Sequence, residues 1–335
     1  MRKRNNYLDL VKFISFCMVV FIHCPFPEPV GECIIAISRC AVPIFLTISG
    51  IFYKHDFKKC RYNAIKYGSM YLIFSAIWTF VYSIIKTSEF TVLAQWSNLK
   101  FDFLRFILFI VLGYPFGNEY LWYLHALAGS YLTIYLIEEI IDYLVNKKGN
   151  YKIRCKLLIE FTIFYILIIL LISSGIEFVS GYNVPTVLWR NFAIEGTCLF
   201  LLGQTIREII NARNDIKISI RASIIMCIIG LIITLIEWHY TSRKDLYFGS
   251  LIICFFALIV YENVSIKESF LVKFSRKYSL LLYLVHPFVI LIIQLIELKI
   301  TNMVLLNYYK PFLTIALTCL IVPPIHRCIT LIKKY

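Results

Sequence analysis

Apolar runs of about 20 residues recur along the whole of this chain. As a helix, each is long enough to cross the roughly 30 Å hydrocarbon core of a bilayer. No motif constrains the fold as strongly, because a lipid-buried backbone must satisfy its own hydrogen bonds and a helix does so within one segment. Composition points the same way. Of the 335 residues, 60% are apolar and 16% charged, where a soluble domain runs near about 45–50% and about 25%. A disordered chain, a coiled coil and an ordinary cytosolic enzyme are thereby excluded. The sequence predicts an all-α polytopic membrane protein.

The runs place spans at 8–25, 33–53, 62–86, 120–144, 157–175, 188–209, 219–238, 246–262, 277–297 and 311–332. Ten crossings put both termini on one side of the membrane. With the N-terminus inside, the inner segments hold 22 Lys and Arg residues and the outer ones 6 (Lys100, Arg105, Arg243, Lys244, Lys299 and Lys310). That bias makes both termini cytoplasmic. The net charge of +14 is therefore read as membrane topology and not as a nucleic-acid surface. The opening MRKRNNYLDLVKF leads into an apolar segment too long for a cleavable signal, with no small-residue cleavage site after it. It reads as the first membrane helix.

Residues 101–113 are apolar but span only about 20 Å as a helix, so they are expected to form an interfacial or re-entrant segment on the outer face. Most of the eleven cysteines sit inside apolar runs, among them Cys17, Cys198, Cys227, Cys254 and Cys319, and no CxxC pair occurs. Neither a disulfide framework nor a metal site is expected. With no Gly/Ser/Pro-rich linker and no internal repeat, residues 1–335 read as a single membrane domain in the plasma (inner) membrane.

Ionisable groups inside a span are costly and are functional candidates by default. Glu138, Glu139, Asp142, Glu160, Glu262 and Arg327 lie near span ends, where long side chains reach back to the interface. The rest are Asp9, Lys12 and His23 on the first span, Arg39 on the second, His125 on the fourth, Arg190 and Glu195 on the sixth, and His286 on the ninth. His23, Arg39, His125, Arg190 and Glu195 all fall near outer span ends. Lys12 and His23 are about 20° apart on one helical face and about 16 Å apart along the axis. An imidazole there can act as a general base at neutral pH, and a cation toward the inner side can hold phosphate. The plainer alternative is a tolerated lysine and a core histidine bonded to a carbonyl.

The stretches YLDLVKFISFCMVVFIHCPFP and ISRCAVPIFLTISGIFYKH resemble the opening of the acyltransferase-3 family of integral membrane O-acyltransferases. That family opens with Arg-x10-His on its first helix, then an Arg before Val-Pro-hydrophobic-Phe and Ser-Gly. The matching positions are Lys12, His23, Arg39, Val42 to Phe45 and Ser49-Gly50. EYLWYLHALAGSYL, NFAIEGTCLFLLGQTIRE and YSLLLYLVHPF, which contains Tyr283 and His286, are similar to later blocks of the family. The resemblance runs in order through nearly the whole chain.

It implies a ten-helix enzyme that binds no permanent cofactor. Such an enzyme takes an acyl group, acetyl first, from cytoplasmic acyl-CoA and passes it to a hydroxyl of a glycan or lipid-linked saccharide at the outer face. It implies His23 as the essential histidine, acting as a base or through a transient acyl-histidine, and Arg39 as a site cation. Lys12 stands where the family has Arg, so phosphate binding survives while a planar fork is lost. The family often carries an extracytoplasmic hydrolase-like domain. None follows here before Tyr335, so the enzyme is expected to act alone or with a separate extracytoplasmic partner. A saccharide transporter or flippase is the rival class. Such folds commonly show repeat symmetry and paired broken helices, which this sequence lacks.

Overall fold

The structure, a computed structural model, describes residues 5–85, 103–113, 119–145, 151–182, 184–212, 219–241, 244–297 and 304–332. Every regular element among them is helical. In chain order these are α1 (Asn6–His23), α2 (Val30–Ser38), α3 (Ala41–Phe52), α4 (Phe57–Ile84) and α5 (Phe103–Leu112). Then come α6 (Trp122–Leu144), α7 (Tyr151–Leu170), α8 (Ile176–Ser180) and α9 (Thr197–Ala212). The last four are α10 (Ile220–Tyr240), α11 (Phe248–Ile259), α12 (Phe270–Glu297) and α13 (Val304–Ile332).

Among the described residues, eight helices are long and apolar enough to cross a membrane. They are Asn6–His23, Val30–Phe52, Phe57–Val81, Trp122–Leu144, Lys152–Ser173, Ile220–Tyr240, Phe270–Glu297 and Asn307–Leu331. Each corresponds to an expected span. The other two expected spans differ for a physical reason. Segment 246–262 forms only the twelve-residue α11, about 18 Å at the α-helical rise. Segment 188–209 is divided between a π-helical turn at Phe192–Gly196 and the sixteen-residue α9. Lys100, Arg243, Lys299, the RKR at 2–4 and Lys333 and Lys334, all used in the charge count, lie outside the described residues.

Two of the helices start where a side chain replaces a missing intrahelical acceptor. Asn5 caps α1 by accepting from the Leu8 amide at 3.1 Å. Asp56 caps α4 by accepting from the Lys59 amide at 3.2 Å.

The chain divides into two compact units, Met1–Phe45 with Ala212–Tyr335, and Leu46–Asn211. In the first, the core joins Phe16 and Val20 of α1 and Cys24 just after it to Leu282, Val285, Val289 and Ile290 of α12 and Val322 of α13. Within the same unit α10 and α11 meet backbone to backbone: a Cβ on Gly249 would stand 2.2 Å from the Gly230 carbonyl oxygen. In the second unit, α3 and α9 touch in the same manner. A Cβ on Gly203 would lie 2.1 Å from the Thr47 carbonyl oxygen. Such small-residue crossings suit a membrane protein, where close van der Waals packing replaces the hydrophobic drive between helices.

Candidate functional site

In the first unit one set of polar groups lies along α1 and α12. Phe16 and His23 are seven residues apart and so occupy nearly the same helical face. Both meet His286 of α12. The His23 and His286 rings stack with centroids 5.9 Å apart and planes 28° apart. Phe16 presents its ring to His286 at 6.2 Å and 78°. His286 is fully buried, its Nδ1 is 3.3 Å from the Leu282 carbonyl oxygen, and the Tyr283 ring is 5.9 Å away. The expected site residues His23, His286 and Tyr283 thus form one cluster. Pro287 lies inside α12, which runs on to Glu297.

At the N-terminal ends of the same two helices, buried Asp9 accepts the Lys12 ammonium at 3.4 Å and the Arg276 Nε–H at 2.8 Å. Arg276 also donates to the Glu268 carboxylate at 2.7 Å and to Asn6 Oδ1 at 2.6 Å. Lys12, expected to hold a phosphate, faces a carboxylate in this structure. Arg276 was counted among the loop cations in the sequence reading. It belongs to the helix, because α12 begins at Phe270, earlier than the expected 277. Glu268, just outside the helix, has its carboxyl held below the usual range, first by the Arg276 hydrogen bond and then by that of Lys273.

Arg39 stands where the second span breaks. Residues 39 and 40 separate α2 from α3, and Pro43 has no amide to offer the Arg39 carbonyl. The Arg39 guanidinium pairs with Asp245 at 2.5 Å, and the two side chains are only 14% and 18% exposed. Asp245 was not among the sequence candidates.

The remaining expected residues belong to the second unit. His125 Nε2 lies 2.9 Å from the Ile110 carbonyl oxygen, at the end of α5. Gly113 follows with φ +70°, and a Cβ there would stand 2.4 Å from His125 Nδ1. Tyr71 stacks on Phe109 at 4.9 Å and donates to its carbonyl at 3.4 Å. Of the 101–113 segment, Phe103–Leu112 is a short helix whose end is fastened to α4 and α6, and His125 is one of its fasteners; residues 101 and 102 lie outside the described residues. The Arg190 guanidinium lies 4.4 Å from the Trp122 ring centroid. Glu195 is buried in the π-helical turn. That turn is capped by Asn191, whose Oδ1 accepts from the amides of Ala193 and Ile194 at 2.9 and 3.2 Å.

Glu138 departs from the expectation of a side chain reaching to the interface. It is 3% exposed, accepting from Arg154 at 3.0 Å and from Gln204 at 2.6 Å. The ring of His55 touches Glu138, Glu139 and Asp142 at 3.3, 3.3 and 3.5 Å. Arg154 also reaches Asp142 at 3.0 Å. A small cavity beside this hub is lined by Glu138, Arg154, Cys155, Arg207 and Glu208. Arg207 in turn donates to the Tyr53 carbonyl. The hub gathers residues of α6, α7 and α9 with His55 from the α3–α4 connection.

Among the described residues no group of three or more His, Cys, Asp or Glu side chains converges on a metal position. The chemical means present are imidazole, guanidinium, ammonium and carboxylate, sufficient for proton transfer and for stabilising an anion. A family model described as an acyltransferase domain matches residues 5–324, a range that includes His23, Arg39, Asp245 and His286. No curated protein and no solved structure matches the chain.

Proposed function

The chain belongs to the acyltransferase-3 family, and from that premise we propose that it moves an acyl group from acyl-CoA to a hydroxyl of a glycan or lipid-linked saccharide. The acyl group is acetyl, the donor enters from the cytoplasm and the acceptor sits at the outer face of the plasma membrane. Both termini lie in the cytoplasm, as the Lys and Arg bias requires. The observation that carries the reading is the stack of His23 on buried His286 within an apolar core. Apolar packing has no need of two imidazoles face to face, whereas acyl transfer needs a base that stays in register.

In the proposed reaction a neutral His23 nitrogen accepts the proton of the acceptor hydroxyl as its oxygen bonds to the thioester carbonyl carbon. The negative charge that develops on the carbonyl oxygen is stabilised by the Arg39 guanidinium. The carbon–sulfur bond then breaks, and the departing thiolate takes the proton from the His23 imidazolium. His286 holds the His23 ring in the orientation the transfer needs, and Lys12 binds a phosphate of the donor.

The test is to incubate the purified full chain in nanodiscs with acetyl-CoA labelled in its acetyl group. Transfer of label to a saccharide acceptor, or slow hydrolysis to labelled acetate, is expected. A protein that leaves the label on coenzyme A under all acceptors, yet passes a saccharide across a sealed bilayer, would be a flippase instead.

A further inference from the structure

We propose that Asp245 is a positioning residue for Arg39, held in place by its buried neighbours Lys244, Leu246 and Tyr247 and by the anchored start of α11. The proposal rests on the reading of Arg39 as the cation of an acyl-transfer site. Its starting point is a pair 206 residues apart in sequence: the Arg39 guanidinium and the Asp245 carboxylate, 2.5 Å apart and mostly shielded from solvent.

Three features hold Asp245 there. Glu237, near the end of α10, accepts from the amides of Phe248 and Gly249 at 3.2 and 3.0 Å. It thus caps the start of α11 from a neighbouring helix, a place where a carboxylate also meets the positive end of the helix dipole. The Gly230–Gly249 crossing sets α10 and α11 backbone to backbone, so the start of α11 has little room to shift. Just before the start of α11, Leu246 and Tyr247 are each 1% exposed. The Tyr247 hydroxyl accepts from the Lys244 amide at 3.2 Å. Irregular backbone is tolerated in a membrane protein only where protein encloses it or it lines a wet cavity. A segment so enclosed presents its one carboxylate at a fixed point.

Arg39 needs such a partner because it stands at the α2–α3 break, where no regular helix holds its backbone. A guanidinium carries five donors in a rigid fork. A carboxylate on one edge orients the whole fork and leaves the plane aimed for a second anion. Removing the carboxylate charge lets the fork swing, and a displacement of about 1 Å costs about 10²-fold in rate. Binding of the donor, anchored through its phosphates, is affected far less.

The experiment compares wild type, Asp245→Asn, Asp245→Glu, Arg39→Gln and the Arg39→Gln/Asp245→Asn double variant, each as the full chain in nanodiscs. Acetyl transfer and thermal midpoints are measured together. Asp245→Asn should lower kcat about tenfold to a hundredfold, with the KM for acetyl-CoA within about twofold. Asp245→Glu should regain part of that loss, and the double variant should be no slower than Arg39→Gln alone. Wild-type kcat in Asp245→Asn, or losses that multiply in the double variant, would overturn the proposal. If Asp245→Asn does not fold, Asp245→Glu carries the kinetic test: its kcat must fall while its KM holds, and an unchanged kcat overturns the proposal. A wild-type protein that transfers no acetyl group overturns the functional reading and the kinetic role with it. The pairing is then judged by thermal midpoints alone, where additive losses would refute it.

Discussion

Two polar clusters, one in each unit, are built in different ways. In the second, Glu138 meets Arg154, Gln204 and His55, and Asp142 answers Arg154 and His55 in turn. Carboxylate faces cation or donor throughout, which is how a protein repays the desolvation of buried ions. In the first unit, imidazole faces imidazole at 5.9 Å, with a phenyl edge beside them. The contact there is between two like rings and not between a carboxylate and a cation. The contrast separates polarity that ties helices together from polarity kept ready for chemistry.

Substitutions that act on one side of this contrast and spare the other would sharpen it. The largest effect is expected from Arg39→Lys, which keeps the charge and removes the fork. Acetyl transfer should fall by about 10²-fold or more, the loss typical of one oxyanion donor. The thermal midpoint should change little. Near-normal turnover would mean that Arg39 supplies only diffuse positive charge. Next comes Glu138→Ala, which strands Gln204 and Arg154 and should cost about 2–3 kcal/mol of stability. The readout is the thermal midpoint, with activity per folded molecule retained. A loss of turnover at full stability would break the distinction between the units.

A smaller change is expected for Lys12→Ala. It should raise the KM for acetyl-CoA by about tenfold with a lesser fall in kcat, and Lys12→Arg should be tolerated. A kcat loss at unchanged KM would remove Lys12 as the phosphate anchor, leaving it as a partner of Asp9 alone. The smallest effect belongs to Glu268. Its carboxyl is held below its ordinary range by Arg276 and Lys273. A depressed folded value contributes stability above the unfolded value of about 4.3, and that contribution is lost as pH falls through the folded one. The gap in thermal midpoint between wild type and Glu268→Gln should therefore shrink as pH drops from about 6 to about 3. A gap that widened on acidification would contradict the assigned hydrogen bonds.

The membrane helices were legible because length and apolarity are local properties. Lys12, His23, Arg39 and His286 were found because each is polar within an apolar run, and family resemblance gave them order. What the sequence concealed were the partners. Glu138 looks like any carboxylate near a span end until Gln204, 66 residues later, is seen to donate to it. Arg276 and Asp245 fell in segments counted as loops, so one became a number in a charge bias and the other was overlooked. Each pairs with a residue more than 200 positions away. Glu237 and Asn191 cap backbone amides, a role that no apolar periodicity reports. His125 had the signature of a site residue, and the structure uses it to hold the end of α5.

The central claim, that the chemistry resides with His23 in the first unit, is tested most directly by one comparison in nanodiscs. Label transfer from acetyl-CoA is measured for wild type and His23→Ala, beside the thermal midpoint of each. Loss of a general base removes about 10²–10⁴-fold. The account predicts at least a hundredfold fall in transfer by His23→Ala, with a thermal midpoint close to wild type. Retention of more than about a tenth of wild-type transfer by a folded His23→Ala protein would contradict it.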